Sequence, residues 1–255
     1  MRRISVVFLG LIILPVAMPV LAAVCGDSNG DGKVNVGDAV HLINYIFKGG
    51  SAPNCLETGI VTDIDGNTYG TIRIGDQWWM SENLKVTHYR NDDAIPLETD
   101  SGTWFGLTAG AYCEYGNDAN NVAVFGRLYN WYAVNDSRNI APLGWHVPTD
   151  AEWLTMINTL GGEAIAGGKT KETGTAHWRT PNTGATNESG FTALPGGFRY
   201  VAEGYSGLGF NAIFWTSTEN NYSSAWYRYL YYNTSIAYHD AIGKSNGLSI
   251  RCVKD

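Results

Sequence analysis

Three aspartates and two asparagines crowd into Asp27-Ser28-Asn29-Gly30-Asp31-Gly32-Lys33-Val34-Asn35-Val36-Gly37-Asp38. A hard divalent cation asks for oxygen ligands at the first, third, fifth and twelfth positions of such a loop, with a backbone carbonyl from the seventh. Asp27, Asn29, Asp31 and Asp38 fill the side-chain positions, and Lys33 supplies the carbonyl. Gly32 stands where the loop must turn sharply, and Val34 points an apolar side chain inward. Carboxylates packed this closely repel one another unless a cation sits between them. The spacing therefore predicts a calcium site.

A second set of residues suits recognition. Between Asn220 and Tyr238 the chain is dense in tyrosine, asparagine and serine, with Trp226 in its middle and Trp215 just upstream. Aromatic rings give rigid contact area at low entropic cost, and small polar groups adapt their hydrogen bonds. Trp215, Asn220, Asn221, Tyr222, Trp226 and Tyr238 are the candidate ligand residues. Strand alternation would divide this segment between core and solvent, setting Trp226, Arg228 and Leu230 against Tyr227, Tyr229 and Tyr231.

Catalytic patterns are weaker. No two of the histidines at 41, 88, 146, 177 and 239 have metal-ligand spacing on one helix, and no serine stands in a Gly-x-Ser-x-Gly elbow. Glu82, Glu152, Glu188, Glu203 and Glu219 qualify as acids by type alone, and Glu152 reads as a helix-capping residue. Binding is the better expectation.

The first residues set the compartment. Arg2 and Arg3 precede an apolar run from Ile4 to Val16, and Val20-Leu21-Ala22-Ala23 offers small residues for cleavage. Residues 1–23 thus read as a signal peptide, with no membrane span left after its removal. Pro15 and Pro19 interrupt the longer apolar run that could otherwise cross a bilayer. Loss of Arg2 and Arg3 takes the formal charge from −7 to about −9, which argues against nucleic acid. Four cysteines in an exported chain imply two disulfides. Three pairings are open, the most natural being Cys25 with Cys55 and Cys113 with Cys252.

These residues need elements to hold them. Val36, Val40, Ile43 and Phe47 predict a helix after the calcium loop, stopped by Gly49-Gly50. Residues 25–50 form the small calcium module, 51–59 a linker and 60–255 the main domain. In the latter, Asp65-Gly66-Asn67 reads as a hairpin turn between strands at 60–64 and 68–74, and Trp78–Met80 continues after Gly75-Asp76-Gln77. A helix is expected over 126–134, and a second one where Thr149 and Glu152 make a capping box. Residues 171–209 read as loops with a short strand at 191–194. Strands follow at 212–216, 225–232, 236–241 and 248–253. The pattern is α+β with paired terminal strands.

The calcium loop resembles one repeat of a dockerin, an EF-hand-like module that joins extracellular proteins to cohesin partners. Asp38 fits the family's aspartate in the last position. The chain shows a single repeat where dockerins carry two, and Val36 and Gly37 replace the hydroxylated recognition residues. Both departures weigh against a cohesin partner.

The remainder resembles the Fibrobacter succinogenes major paralogous domain. The resemblance rests on Asp65-Gly66-Asn67-Thr68-Tyr69, Trp78-Trp79-Met80-Ser81-Glu82-Asn83-Leu84, Tyr112-Cys113 and Gly126-Arg127-Leu128-Tyr129-Asn130-Trp131-Tyr132-Ala133. It continues in Gly144-Trp145-His146-Val147-Pro148-Thr149, Phe214-Trp215-Thr216-Ser217-Thr218-Glu219 and Ser249-Ile250-Arg251-Cys252-Val253-Lys254-Asp255. It implies a C-type-lectin-like fold, shared with formylglycine-generating enzymes, with a long loop region carrying ligand sites. The expected function is an exported recognition or adhesion protein for glycan or protein ligands. The alternative is an accessory component of a polysaccharide-degrading system.

Overall fold

The computed structural model describes residues 35–49, 56–201 and 204–255. The chain divides into two units, Met1–Cys55 and Leu56–Asp255. The leader, residues 51–55 of the expected linker, Cys25, Cys55 and most of the calcium loop lie outside the described residues, while the linker's last two residues open the strand Thr58–Thr62.

In the first unit, helix α1 spans Val36–Lys48. Its start is a capping box: the Gly37 amide donates to Asn35 Oδ1 at 2.7 Å, and the Asn35 amide donates to Asp38 Oδ2 at 2.7 Å. Gly49 ends it in the left-handed region, where a residue without Cβ carries no steric penalty.

The second unit mixes helix and sheet, with a curled antiparallel sheet at one side. Strands β1 (Thr58–Thr62), β2 (Thr68–Ile74) and β3 (Gln77–Met80) run as successive hairpins. Helix α2 (Ser101–Phe105) and strand β4 (Tyr112–Cys113) follow. Next come α3 (Val122–Phe125), β5 (Leu128–Tyr129) and α4 (Trp131–Val134). Strand β6 (Trp145–His146) leads into α5 (Asp150–Thr159) and α6 (Glu163–Thr170). The last strands are β7 (Gly196–Tyr200), β8 (Gly204–Leu208), β9 (Asn211–Glu219), β10 (Ser224–Tyr231), β11 (Ala237–Gly243) and β12 (Val253–Lys254).

The largest sheet has the order β1-β2-β3-β12-β6. Val253 of β12 pairs with Trp79 on one side and His146 on the other, so the C-terminal strand joins the N-terminal hairpins through β3 and does not pair with the first strand. A three-stranded sheet runs β11-β10-β9, and β4-β5 and β7-β8 form small ribbons.

Helix α5 is held by Thr149, whose hydroxyl accepts from the Glu152 amide at 3.2 Å while Glu152 accepts from the Thr149 amide at 2.8 Å. It packs Trp153 against Trp79, centroids 4.9 Å apart, and against Phe214 at 5.4 Å. Helix α6 has no expected counterpart. Its sequence is short and glycine-bearing, and its fit depends on those glycines: a Cβ on Gly167 would lie 2.5 Å from the Ile236 carbonyl oxygen.

Two buried cations organise the loops. Arg251 is fully buried and donates to Asn83 Oδ1 and to the carbonyls of Met80, Phe191 and Thr192. Lys171 is equally buried, its Nζ donating to the carbonyls of Thr183, Tyr231 and Thr234 at 2.9–3.0 Å. Buried charge persists only where such donors are satisfied.

The sequence expectations differ from the structure elsewhere too: residues 171–209, read as loops, hold β7 and β8, and the strand expected at 248–253 is only Val253–Lys254. Residues 126–134 split into β5 and the single turn α4, because buried Asn130 caps α4 while also accepting from the Ala111 amide. Residues 191–194 carry an isolated bridge at Ala193 instead of a strand. Cys113 and Cys252 do not bridge. Both thiols are free and buried, Cys113 among Trp104, Ala111 and Leu128, and Cys252 in a separate apolar cluster with Met80 and Tyr129.

Candidate functional site

Strand β10 divides its side chains as alternation requires. Arg228 and Leu230 point to one face and are buried; Arg228 is held there by Asp150 of α5, Nε to Oδ1 at 2.7 Å. Tyr227, Tyr229 and Tyr231 occupy the other face. Cross-strand pairing sets Tyr229 beside Tyr238 of β11 and Ile213 of β9, and sets Tyr231 beside Asn211. The β7-β8 ribbon supplies the opposing wall with Phe198, Tyr200 and Ser206, and Ile242 and Leu248 complete a cavity of about 320 Å³.

The rings are ordered among themselves. Tyr229 and Tyr238 stack with centroids 4.9 Å apart and planes 12° from parallel, and Tyr227 stacks on Tyr229 at 5.3 Å. Tyr231 meets Tyr229 edge-on at 88°. Burial raises the pKa of Tyr227 and Tyr229, with neighbouring Asp240 and tyrosines adding to the effect, so these phenols stay protonated.

The polar groups of this cavity are unspent. The hydroxyls of Tyr227, Tyr229, Tyr231 and Ser206 and the Asn211 carboxamide make no hydrogen bond to any described residue. Asn211 Oδ1 is moreover shielded from solvent. The hydroxyls, which are not so shielded, are the groups open to one brought from outside. Among the described residues no carboxylate, thiol, imidazole or cationic side chain lines the cavity. Its chemistry is stacking and hydrogen bonding.

The ligand residues expected from sequence are dispersed. Trp215 is not on the surface: it is wholly buried, its Nε1 donating to the Tyr129 carbonyl at 2.7 Å. It pairs with Tyr227 and so shares the tyrosines' sheet face, but there it is covered by the buried cluster that holds Tyr129 and Leu248. Asn220, Asn221 and Tyr222 lie on the β9–β10 turn, where Asn221 Oδ1 accepts from the Ser223 and Ser224 amides. Tyr222 is 91% exposed. Trp226 stacks on His239 at 5.4 Å, on the sheet face opposite the cavity. Only Tyr238 adjoins the tyrosine row. Phe198, Ser206 and Asn211 were missed because they come from a glycine-rich stretch that reads as loop.

Imidazoles elsewhere are paired with acids. His146 lies 2.6 Å from Asp255 and 2.8 Å from Glu152, His88 2.6 Å from Asp65, and His177 2.9 Å from Glu172. Among the described residues no group of three or more His, Cys, Asp or Glu is placed to hold a metal ion.

The Fibrobacter succinogenes major domain matches residues 72–254. The chain belongs to that family. A dockerin type I domain matches residues 25–69. No curated protein and no solved structure matches.

The dockerin match thus runs through the β1–β2 hairpin, directly before the Fibrobacter succinogenes major domain begins. Asp63, Asp65 and Asn67 there have the one-three-five spacing of a calcium loop. The structure uses them otherwise. Asp63 accepts from the Asn67 amide and Nδ2, both at 2.9 Å, and from the Tyr69 hydroxyl. Asp65 turns away to Thr87 and His88. These carboxylates close a hairpin and do not converge on a cation. Of the expected ligands in the first loop, Asp38 is described and buried, while Asp27, Asn29, Asp31 and Lys33 lie outside the described residues.

Proposed function

We propose that this chain is an exported recognition protein that holds a glycan or protein ligand in the tyrosine-lined cavity and is fastened outside the cell by its dockerin domain. The observation that carries the reading is the cavity itself: an aromatic wall and several hydroxyls with no partner among the described residues. Small-molecule sites take this form, concave and aromatic with a few placed polar groups.

The dockerin domain supports calcium as the bound ion and a cohesin-type protein as the partner. Asp27, Asn29, Asp31, the Lys33 carbonyl and Asp38 would hold the ion, whose role is to fix the loop that launches α1. Along that helix Val36, Val40, Ile43 and Phe47 are half or more exposed, an apolar stripe suited to a protein surface. Closure of the large sheet by β12 accords with a C-type-lectin-like arrangement.

A second reading rests on the dockerin match: an accessory component of a polysaccharide-degrading assembly. Screening the intact protein on immobilised glycans and against purified cohesin modules, with and without calcium, tests both. Retention on either surface is expected, the cohesin arm being calcium-dependent. A folded protein that is blank on every glycan and every cohesin module removes the proposal. Release of sugar from an offered polysaccharide would favour the second reading.

A further inference from the structure

We infer that the cavity between β10 and the β7-β8 ribbon takes a neutral pyranose, bound without calcium. This rests on the recognition reading above and narrows it to one ligand chemistry.

Charge comes first. Among the described residues the cavity wall has no ionisable group other than phenols, and burial raises the pKa of Tyr227 and Tyr229. Among the described residues, exposed Asp240 faces Tyr227 across the β10–β11 pair. An acidic sugar or a phosphate would meet that negative rim with no cation to receive it, and its desolvation would go uncompensated.

Ring geometry excludes the opposite charge. A quaternary ammonium needs ring faces arranged around it. Here Tyr227, Tyr229 and Tyr238 turn their faces to one another, with separations of 4.9–5.3 Å. What they leave are hydroxyl-bearing edges, whereas Tyr231, turned at 88° to Tyr229 and 38% exposed, presents a face to a ligand. A saturated sugar ring matches both features. Its apolar C–H face covers one aromatic face, and its ring of hydroxyls meets phenols, Ser206 and the Asn211 amide as donors and acceptors.

A peptide fits less well. The tyrosines stand on a sheet face and not on a sheet edge, so they offer no ladder to an extended backbone. At about 320 Å³ the volume suits a terminal sugar unit or a short segment.

Calorimetry on the full chain decides it, with cello-, xylo- and manno-oligosaccharides as neutral probes and oligogalacturonate, choline and an unstructured peptide as the others. We expect uptake of at least one neutral probe, unchanged by a chelator. Tyr231→Ala and Asn211→Leu should each weaken it by about tenfold, the worth of one stacking or buried polar contact. Tyr222→Ala, on the remote turn, should leave it unchanged. Circular dichroism checks that each variant is folded, and Tyr229→Phe retains the stack should Asn211→Leu fail to fold. Uptake confined to oligogalacturonate, choline or peptide overturns the inference and leaves a recognition protein. So does neutral uptake that survives Tyr231→Ala or vanishes with chelation. Silence toward all probes removes the recognition reading as well.

Discussion

The hydroxyl of Tyr69 donates to Asp63 Oδ2 at 2.5 Å, tying the β1–β2 turn to a fully buried ring. That bond removes Asp63 from the pool of cation ligands. The same hydroxyl accepts from the Lys85 amide at 2.9 Å, so the carboxylate helps fix the chain that follows β3.

The first prediction follows from that commitment. Calcium titration should give one ion per chain, not two. Asp31→Ala should abolish uptake, whereas Asp63→Asn should leave uptake intact and lower the thermal midpoint of the larger domain. Losing a buried charged acceptor costs roughly 1–3 kcal/mol. A second calcium that disappears with Asp63→Asn would show the hairpin assignment to be wrong.

Lys171 gives a pH signature. Burial lowers its pKa to about 8 from 10.5. Below pH 8 the folded protein carries the full cost of a buried ammonium. Between pH 8 and 10.5 the unfolded chain binds more protons than the folded one, so this group's contribution makes stability rise with pH, by on the order of 3 kcal/mol in total. Urea unfolding of the wild type and Lys171→Met across pH 7 to 10 isolates it. The variant should lose the rise, and its three abandoned carbonyls should make it less stable overall at pH 8. Parallel pH profiles would contradict the assignment.

His146 behaves in the opposite sense. Burial works against its charged form, but the hydrogen bonds it donates to Asp255 and Glu152 outweigh that and raise its pKa. The stabilisation is fully present below the unfolded pKa near 6.5 and fades as pH rises through the higher folded value. The pair is partly exposed, which keeps the effect within about 1 kcal/mol. Imidazole resonances followed by NMR should titrate above 6.5, and Asp255→Asn should move the midpoint down. A midpoint indifferent to Asp255 would mean the contact does not persist in solution.

Much of this architecture was legible because it rests on local rules. Thr149 and Glu152 announce α5, Asn35 and Gly49 bracket α1, and Asp65-Gly66-Asn67 marks the hairpin through turn chemistry alone. The two-residue strands β4, β5 and β6 are too short to have a period, and α6 exists because tertiary packing admits its glycines. Composition located the aromatic segment but not its working face. Which tyrosines line a cavity depends on the register of β10 against β9 and on a β7-β8 ribbon with no alternation strong enough to read.

The cysteines show the same limit. Even number and exported context favoured a bridge, yet distance and burial place the two thiols in different clusters. Burial raises the Cys113 thiol to about 11 and the Cys252 thiol well above its usual value. Alkylation with iodoacetamide at pH 8, mapped by mass spectrometry, should leave both unmodified in the folded protein and label both after denaturation. Recovery of a Cys113–Cys252 linked peptide would reverse this correction.

The placement of β12 has a bearing on how such a chain is made and moved. Its two residues fill the slot between β3 and β6, so the largest sheet stays open along its middle until the segment around Val253 arrives. Until then β3 and β6 have no strand between them to pair with. Under the export proposed above, a chain that passes through a narrow conduit before taking shape is well served by keeping its keystone for last.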